Sequence, residues 1–358
     1  MAAPLDIYAG PGALATLRQH GFYPLLFNYF LGASGGPKWF VLAGLDRVLF
    51  PEYFQRRGGQ IQIIGSSAGA FRAACMVQQD PLRAINRLAD VYAHTVYSRK
   101  PTSKEITDSA KHLVNHLLGE DGIMDLLTNE RFKAHIFAAR CHGIMESAGR
   151  MSQLSGLAMS GAANALHRKH LQRYYSRSVF SAPDSRLSID DPYHLKTELL
   201  ELGYNNVKDA LLASGAIPVV IDGVEKIVAA PPGVYRDGGI IDYHFDLKFG
   251  PEPGLVLYPH FYPHAVPGWF DKGLKKRLPH ASSYDNVVML VPSAEFVASL
   301  PYSKIPDRKD FDKLNEKARI RYWEQVLQES DRLGEYFMKI TADGTVMDKI
   351  KPLPFTCQ

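Results

Sequence analysis

Ile61-Gln62-Ile63-Ile64-Gly65-Ser66-Ser67-Ala68-Gly69-Ala70 is the stretch whose reading decides the fold. A short β-branched run ends in Gly-x-Ser-x-Gly. Ala70-Phe71-Arg72-Ala73-Ala74-Cys75-Met76-Val77, which favours helix, follows at once. Strand, tight turn and helix in that order make a nucleophile elbow. Gly65 and Gly69 let the backbone turn so sharply that Ser67 is pushed out at the start of the next helix. The unpaired N–H groups and the positive end of the helix dipole favour an oxyanion beside that hydroxyl. The pattern fixes only three positions, so the flanking strand and helix carry the reading. It requires a base and a set of oxyanion donors elsewhere in the chain.

Working outward, a second unit of the same kind lies just upstream. Leu25–Leu31 reads as a buried strand, Gly32–Lys38 as a Gly-rich loop and Trp39–Asp46 as a helix. Two successive strand–loop–helix units point to an α/β fold. Helical spacing recurs over 81–96 and 103–118, and His135–Arg140 reads as another strand. Residues 310–340 read as a C-terminal amphipathic helix around Leu314, Trp323 and Leu327. Residues 144–178 are less regular. They read as an amphipathic helix pair with a solvated basic face; a lid or an interfacial element is the sharper reading. Val266–Arg277 sets Trp269 and Phe270 beside Lys272, Lys275, Lys276 and Arg277, as a surface loop or a membrane contact. The 358 residues read as one domain with its core at about 25–300.

Composition is that of a globular chain, 46% hydrophobic and 22% charged. The net charge of +4 is spread out, and no nucleic-acid-binding pattern is present. Cys75, Cys141 and Cys357 are too few and too scattered for a disulfide framework, which fits a reducing compartment. Residues 1–21 lack the regions of a signal peptide. No apolar run reaches the roughly 18 residues of a membrane span. A cytoplasmic protein, soluble or peripheral to a membrane, is expected.

Thirteen histidines are present, and His244, His260, His264 and His280 lie late enough to serve Ser67 as a base. His260/His264 and His112/His116 also have metal-ligand spacing, but no third ligand follows, and no metal or organic cofactor is expected. A different base is Asp237, in Val234-Tyr235-Arg236-Asp237-Gly238-Gly239-Ile240, although Asp-Gly alone reads as a hairpin turn. Backbone N–H groups of Ser34, Gly35 and Gly36 can point at one oxygen, with Ala68 adding another. Pro37 has none to give. Asp209–Pro218 is a small-residue helix end broken by proline.

Four blocks, in this order, resemble the patatin-like phospholipases, lipid acyl hydrolases with a Ser–Asp dyad. They are Ser34-Gly35-Gly36-Pro37-Lys38, Gly65-Ser66-Ser67-Ala68-Gly69, Ala213-Ser214-Gly215-Ala216-Ile217-Pro218 and Asp237-Gly238-Gly239, spanning about 25–245. The resemblance implies a three-layer α/β/α domain with a central, mostly parallel sheet, a variant of the α/β-hydrolase type. It implies Ser67 as nucleophile, Asp237 as base, and an oxyanion hole at Ser34, Gly35, Gly36, Lys38 and Ala68. It also implies a phospholipid or lysophospholipid acyl ester as substrate. Two departures stand out. Ser34 replaces the first glycine of the family's oxyanion block, and Trp39 its last, where it would crowd or line the start of the next helix. After Asp237-Gly238-Gly239 comes Ile240-Ile241-Asp242-Tyr243-His244-Phe245-Asp246, whose alternating polar residues read as a strand edge. Three alternatives stay open: a Ser-His-Asp hydrolase using His260 or His264, acyl transfer to an alcohol or thiol, and a catalytically silent lipid-binding protein of the same fold.

Overall fold

The computed structural model describes residues 3–55 and 57–355, so Cys357 lies outside the described residues. Its strands are β1 (Leu5–Ala9), β2 (Phe27–Gly32), β3 (Ile61–Ser66), β4 (Phe132–Cys141), β5 (Tyr175–Ser181), β6 (Ser188–Asp190), β7 (Thr197–Glu201), β8 (Val224–Glu225), β9 (Val234–Asp237), β10 (Lys248–Gly250), β11 (Leu255–Pro259), β12 (Val287–Pro292) and β13 (Ile350–Pro352). Eleven of them form one sheet in the order β13-β1-β12-β11-β2-β3-β4-β5-β7, with β9 pairing β4 and β8 pairing β9. The centre, β12-β11-β2-β3-β4, is parallel throughout. Helices flank this sheet, and the fold is the three-layer α/β/α arrangement.

The parallel centre explains the composition of its strands. Both faces are covered, so β3 is buried at every position, as are β11 and β12. β2 and β3 end side by side at Gly32 and Gly65, in register. The loops that leave their carboxyl ends therefore emerge together, where open α/β sheets form their clefts.

Several local expectations change. Trp39–Asp46 is a 3₁₀ helix over Gly36–Leu42 that runs into an α-helix over Ala43–Val48. The C-terminal helix is three, Asp310–Lys313, Glu316–Glu329 and Asp331–Ala342, broken at Leu314 and Ser330. Residues 144–178 hold one α-helix, Arg150–Leu166, then a 3₁₀ turn and β5. The clustered basic residues come after that helix, where Lys169, His170 and Arg173 are exposed but Arg168 and Arg177 are buried in ion pairs; the helix itself does not carry them. It buries polar and small residues, Gln153, Gly156, Ser160 and Asn164, and exposes Met151, Leu154, Met159 and Leu166. The buried side chains are held by partners: Gln153 accepts from the Val219 N–H at 2.8 Å and Asn164 donates to Asp271 at 2.6 Å. Cys75 and Cys141 are buried free thiols. No helix among the described residues is long and apolar enough to cross a membrane.

Candidate active site

Ser67 stands between the end of β3 and the helix Ala68–Met76, at φ 55° and ψ −125°. A non-glycine residue keeps such a backbone only when its surroundings over-determine it. Here they do. The Ser67 N–H donates to Ser214 Oγ at 2.9 Å, and that hydroxyl donates onward to the Phe137 carbonyl of β4 at 2.7 Å. The Ser67 carbonyl accepts from Ala70 and starts the helix. Within the helix, fully buried Arg72 makes two 2.7 Å bonds to Asp46, tying it to the preceding unit. The helix can approach this closely only without a side chain at its second residue: a Cβ on Gly69 would stand 1.8 Å from the Gly32 carbonyl oxygen. Ser214 lies in a block that the sequence brings to notice, but nothing local shows that its hydroxyl holds the nucleophile's backbone.

Asp237 arrives from the opposite side. It closes β9, opposite Ala138 of β4, and its N–H donates to the Ala216 carbonyl at 3.0 Å. Ser67 Oγ donates to Asp237 Oδ2 at 2.8 Å, and the Gly239 N–H donates to Oδ1 at 2.8 Å. The carboxyl is buried, and burial pushes it above the usual aspartate range. Arg308, the Ser67 hydroxyl, the Gly239 N–H and Lys272 oppose that rise. Gly238 begins the 3₁₀ turn that follows, and its carbonyl accepts from the Asp242 N–H at 2.8 Å.

The upstream loop supplies backbone donors unevenly. The N–H groups of Gly35, Gly36 and Ala68 have no acceptor among the described residues. The Ser34 N–H does have one, donating to the Tyr243 carbonyl at 3.1 Å. Ser34 is therefore withdrawn from the donor set. Its hydroxyl faces Ser66, at 3.1 Å from Ser66 Oγ and 3.2 Å from the Ser66 carbonyl. Gly36 has φ +57°, and the Lys38 N–H turns back to the Gly35 carbonyl at 3.4 Å. The Lys38 side chain reaches the site; burial lowers its pKa, Asp307 opposes that, and Arg308 adds to it. Trp39, expected to crowd or line the start of the next helix, is buried in the core with its ring 5.0 Å from Phe40. The tryptophan at the site is Trp269.

Two cavities meet at Ser67. One, of about 270 Å³, is lined by Asp237, Tyr243, Trp269 and the cations Lys38, Lys272 and Arg308. The other, of about 370 Å³, is apolar, with Ala68, Phe71, Leu113, Leu212 and Ile217 on its walls. Lys272 keeps solvent-exposed surface, yet its ammonium stands in the concave mouth, 3.7 Å from the centre of the Tyr243 ring. Crowding by protein, then Arg308 and Lys38, push it down to about 7.

Sequence reasoning treats 144–178 and 266–277 separately, whereas the fold joins them. Asp271 accepts from Asn164 at 2.6 Å, Arg168 at 2.8 Å and the Gly268 N–H at 2.9 Å. This buried knot fixes the 3₁₀ turn Trp269–Gly273, which carries Lys272. The polar residues after Gly239 are not a strand edge. Asp242 takes two bonds from Arg177, at 2.7 and 2.9 Å, and Asp246 meets His280 at 2.9 Å. All three of Asp242, His244 and Asp246 are buried, in a chain that leaves β9 through tight turns.

The candidate histidine bases are elsewhere. His260 is buried, held near neutrality at about 3 by burial, and bonded through Nδ1 to the Tyr262 backbone. His264 stacks on Tyr262, with ring centroids 5.2 Å apart. Among the described residues no histidine nitrogen hydrogen-bonds Ser67.

No family model and no curated protein matches the chain. Among solved structures it is similar to VipD from Legionella pneumophila, with a TM-score of 0.31 and 12% identity over 86% of this chain and 67% of that one. A superposition that loose says nothing about chemistry at the dyad.

Proposed function

We propose that this chain is a serine lipid acyl hydrolase of the patatin-like type, cleaving fatty-acyl esters through Ser67 and Asp237. The observation that carries the reading is the 2.8 Å bond from Ser67 Oγ to a buried carboxylate, beside backbone N–H groups with no acceptor among the described residues. A serine hydroxyl needs a base in hydrogen-bond reach. A carboxylate with a raised pKa is a better base than an ordinary aspartate. Asp237 takes the proton as Oγ forms a bond to the acyl carbonyl carbon. The oxyanion sits against the N–H groups of Gly35, Gly36 and Ala68, with Lys38 adding positive field. The C–O bond to the alcohol then breaks, and the alcohol leaves with the proton. Water, deprotonated by Asp237, repeats the sequence on the acyl-enzyme and releases the fatty acid. The apolar cavity beside Ser67 suits the acyl chain.

The test is covalent labelling with a fluorophosphonate, paired with hydrolysis of a medium-chain 4-nitrophenyl ester. Ser67→Ala is expected to abolish labelling and to reduce kcat by roughly 10⁴-fold or more. Asp237→Asn is expected to do nearly the same while His260→Ala and His264→Ala retain turnover. Full activity in Asp237→Asn, or labelling of Ser67→Ala equal to that of the unchanged chain, sinks the reading.

A further inference from the structure

The two cavities at Ser67 differ in more than shape. The apolar one accounts for an acyl chain; the other must receive the alcohol half of the ester. Its walls bring Lys38, Lys272 and Arg308 to one mouth. None of the three has an ion-pair partner within 4.0 Å among the described residues, unlike the buried Arg72, Arg168 and Arg177. Asp307 also lines the mouth, but it already accepts from the Lys309 N–H at 2.7 Å and lies 3.8 Å from Lys304. Asp237 is the remaining acid, and its hydrogen bonds go to Ser67 and Gly239.

These cations are held in place. Arg308 and the Tyr92 hydroxyl both lie over Gly36, where a Cβ would stand 2.9 Å from Arg308 Nε and 3.2 Å from the hydroxyl. Lys272 rests on Tyr243 and rides on the Asp271 knot, which is buried and makes four side-chain bonds to its surroundings. The net penalty on the Lys272 and Lys38 charges, burial first with mutual repulsion added, persists although Asp237 and Asp307 oppose it. An incoming anion would relieve it.

The aromatic rings narrow the choice. Trp269 and Tyr243 are the residues that could cage a quaternary ammonium. Lys272 already covers them, at 3.7 Å from the Tyr243 centre and 5.9 Å from the Trp269 centre. A choline headgroup would meet a cation where it needs a bare ring.

Resting on the hydrolase reading above, we infer that the cationic cavity is a headgroup subsite, and that the substrate is an acyl ester whose alcohol carries a phosphate with no compensating ammonium. Lys272 and Arg308 hold the phosphate while the acyl chain occupies the apolar cavity and the ester bond lies across Ser67. Lys272 is a specificity-determining residue for the headgroup and takes no part in bond breaking.

The experiment compares three esters of one acyl chain, below their aggregation concentrations: 1-dodecanoyl-glycerol 3-phosphate, 1-dodecanoyl-glycerophosphocholine and 1-dodecanoyl-glycerol. The phosphate monoester is expected to have kcat/KM about tenfold or more above the other two, the scale of one charge-assisted contact. Lys272→Gln is expected to erase about tenfold of that preference through KM, and Lys272→Arg to retain it. Lys272 is surface-exposed, and thermal melts verify that both variants fold. Dodecyl phosphate is expected to compete at much lower concentration than inorganic phosphate, since it also fills the apolar cavity. Equal or better cleavage of the choline or neutral ester overturns the inference and leaves the hydrolase reading standing. So does an unchanged preference in Lys272→Gln, or competition by inorganic phosphate as strong as that by dodecyl phosphate. Cleavage of none of the three, with no labelling of Ser67, overturns both.

Discussion

Two consecutive strand–loop–helix units build this site, and they do so in opposite ways. The unit β3 to Met76 delivers a side chain: Ser67 is forced into a costly backbone conformation, and a regular α-helix follows it. The unit β2 to Leu42 delivers backbone: Gly35 and Gly36 offer N–H groups, and only a 3₁₀ helix follows. The first is held by a remote hydroxyl, Ser214, and by a glycine contact with no room to spare. The second is held by backbone bonds from Ser34 to Tyr243 and from Lys38 to Gly35, by the Ser34 hydroxyl against Ser66, and by the side chain of Arg308 lying over Gly36. A nucleophile must be placed to a few tenths of an ångström, while N–H donors need only be aimed and kept unpaired.

Breaking the glycine contact gives the largest effect. Gly69→Ala puts a methyl group into the Gly32 carbonyl, where neither backbone can yield. A loss of about 3 kcal/mol or more of stability is expected, seen as a drop in denaturant midpoint or as failure to accumulate folded protein. Next comes Ser214→Ala. It strands the buried Ser67 N–H, at a cost of about 1–3 kcal/mol, and takes one donor from the Phe137 carbonyl. Stability falls within that range, and fluorophosphonate labelling slows by about tenfold or more because the elbow loses its anchor. If labelling is unaffected, Ser67 is held by its turn alone.

The upstream unit should respond more mildly. Gly36→Ala forces a left-handed conformation costing about 1 kcal/mol and presses on Arg308 and Tyr92. It is expected to lower kcat by about tenfold, with a smaller effect on stability than Gly69→Ala. An effect on stability alone would remove Gly36 from the donor set.

The smallest effect is a displacement along the pH axis. Asp237 acts only when ionised, so kcat/KM rises with pH through its raised pKa, and the acid limb lies above the ordinary aspartate value of about 3.9. Arg308 is the largest influence favouring the charged form. Arg308→Gln removes it, so the carboxyl holds its proton to higher pH and the acid limb moves up. A limb that stays put, measured on a neutral ester, would mean that Arg308 does not face the base.

What could be read without the fold was local. β3, the turn and the helix Ala68–Met76 lie in one short run, and strand-forming residues, two glycines and helix formers specify them with little help. Helices over 81–93 and 103–118 were equally legible from spacing. Breaks inside apolar runs were not: the 3₁₀ start at Gly36 and the stops at Leu314 and Ser330 come from what each segment meets in space. Helix Arg150–Leu166 shows the limit most plainly. Its apolar residues point outward because distant partners claim its polar ones: Val219 binds Gln153, Tyr175 binds Ser160, and Asp271, more than a hundred residues on, binds Asn164.

By itself, the sequence determined that this is an α/β chain with an elbow at Ser67, a Gly-rich loop before it and an Asp-Gly-Gly turn far downstream. Short-range sterics and hydrogen bonding suffice for each of those pieces. Only the tertiary structure decided how they meet. It set a carboxylate 170 residues away against the serine hydroxyl, turned Ser34 from donor to spacer, and buried Trp39 while bringing up Trp269. It also gathered Lys38, Lys272 and Arg308 from three separate segments. Those outcomes follow from sheet order and strand register, which are set by burying apolar surface across the whole chain and which no short window of residues encodes.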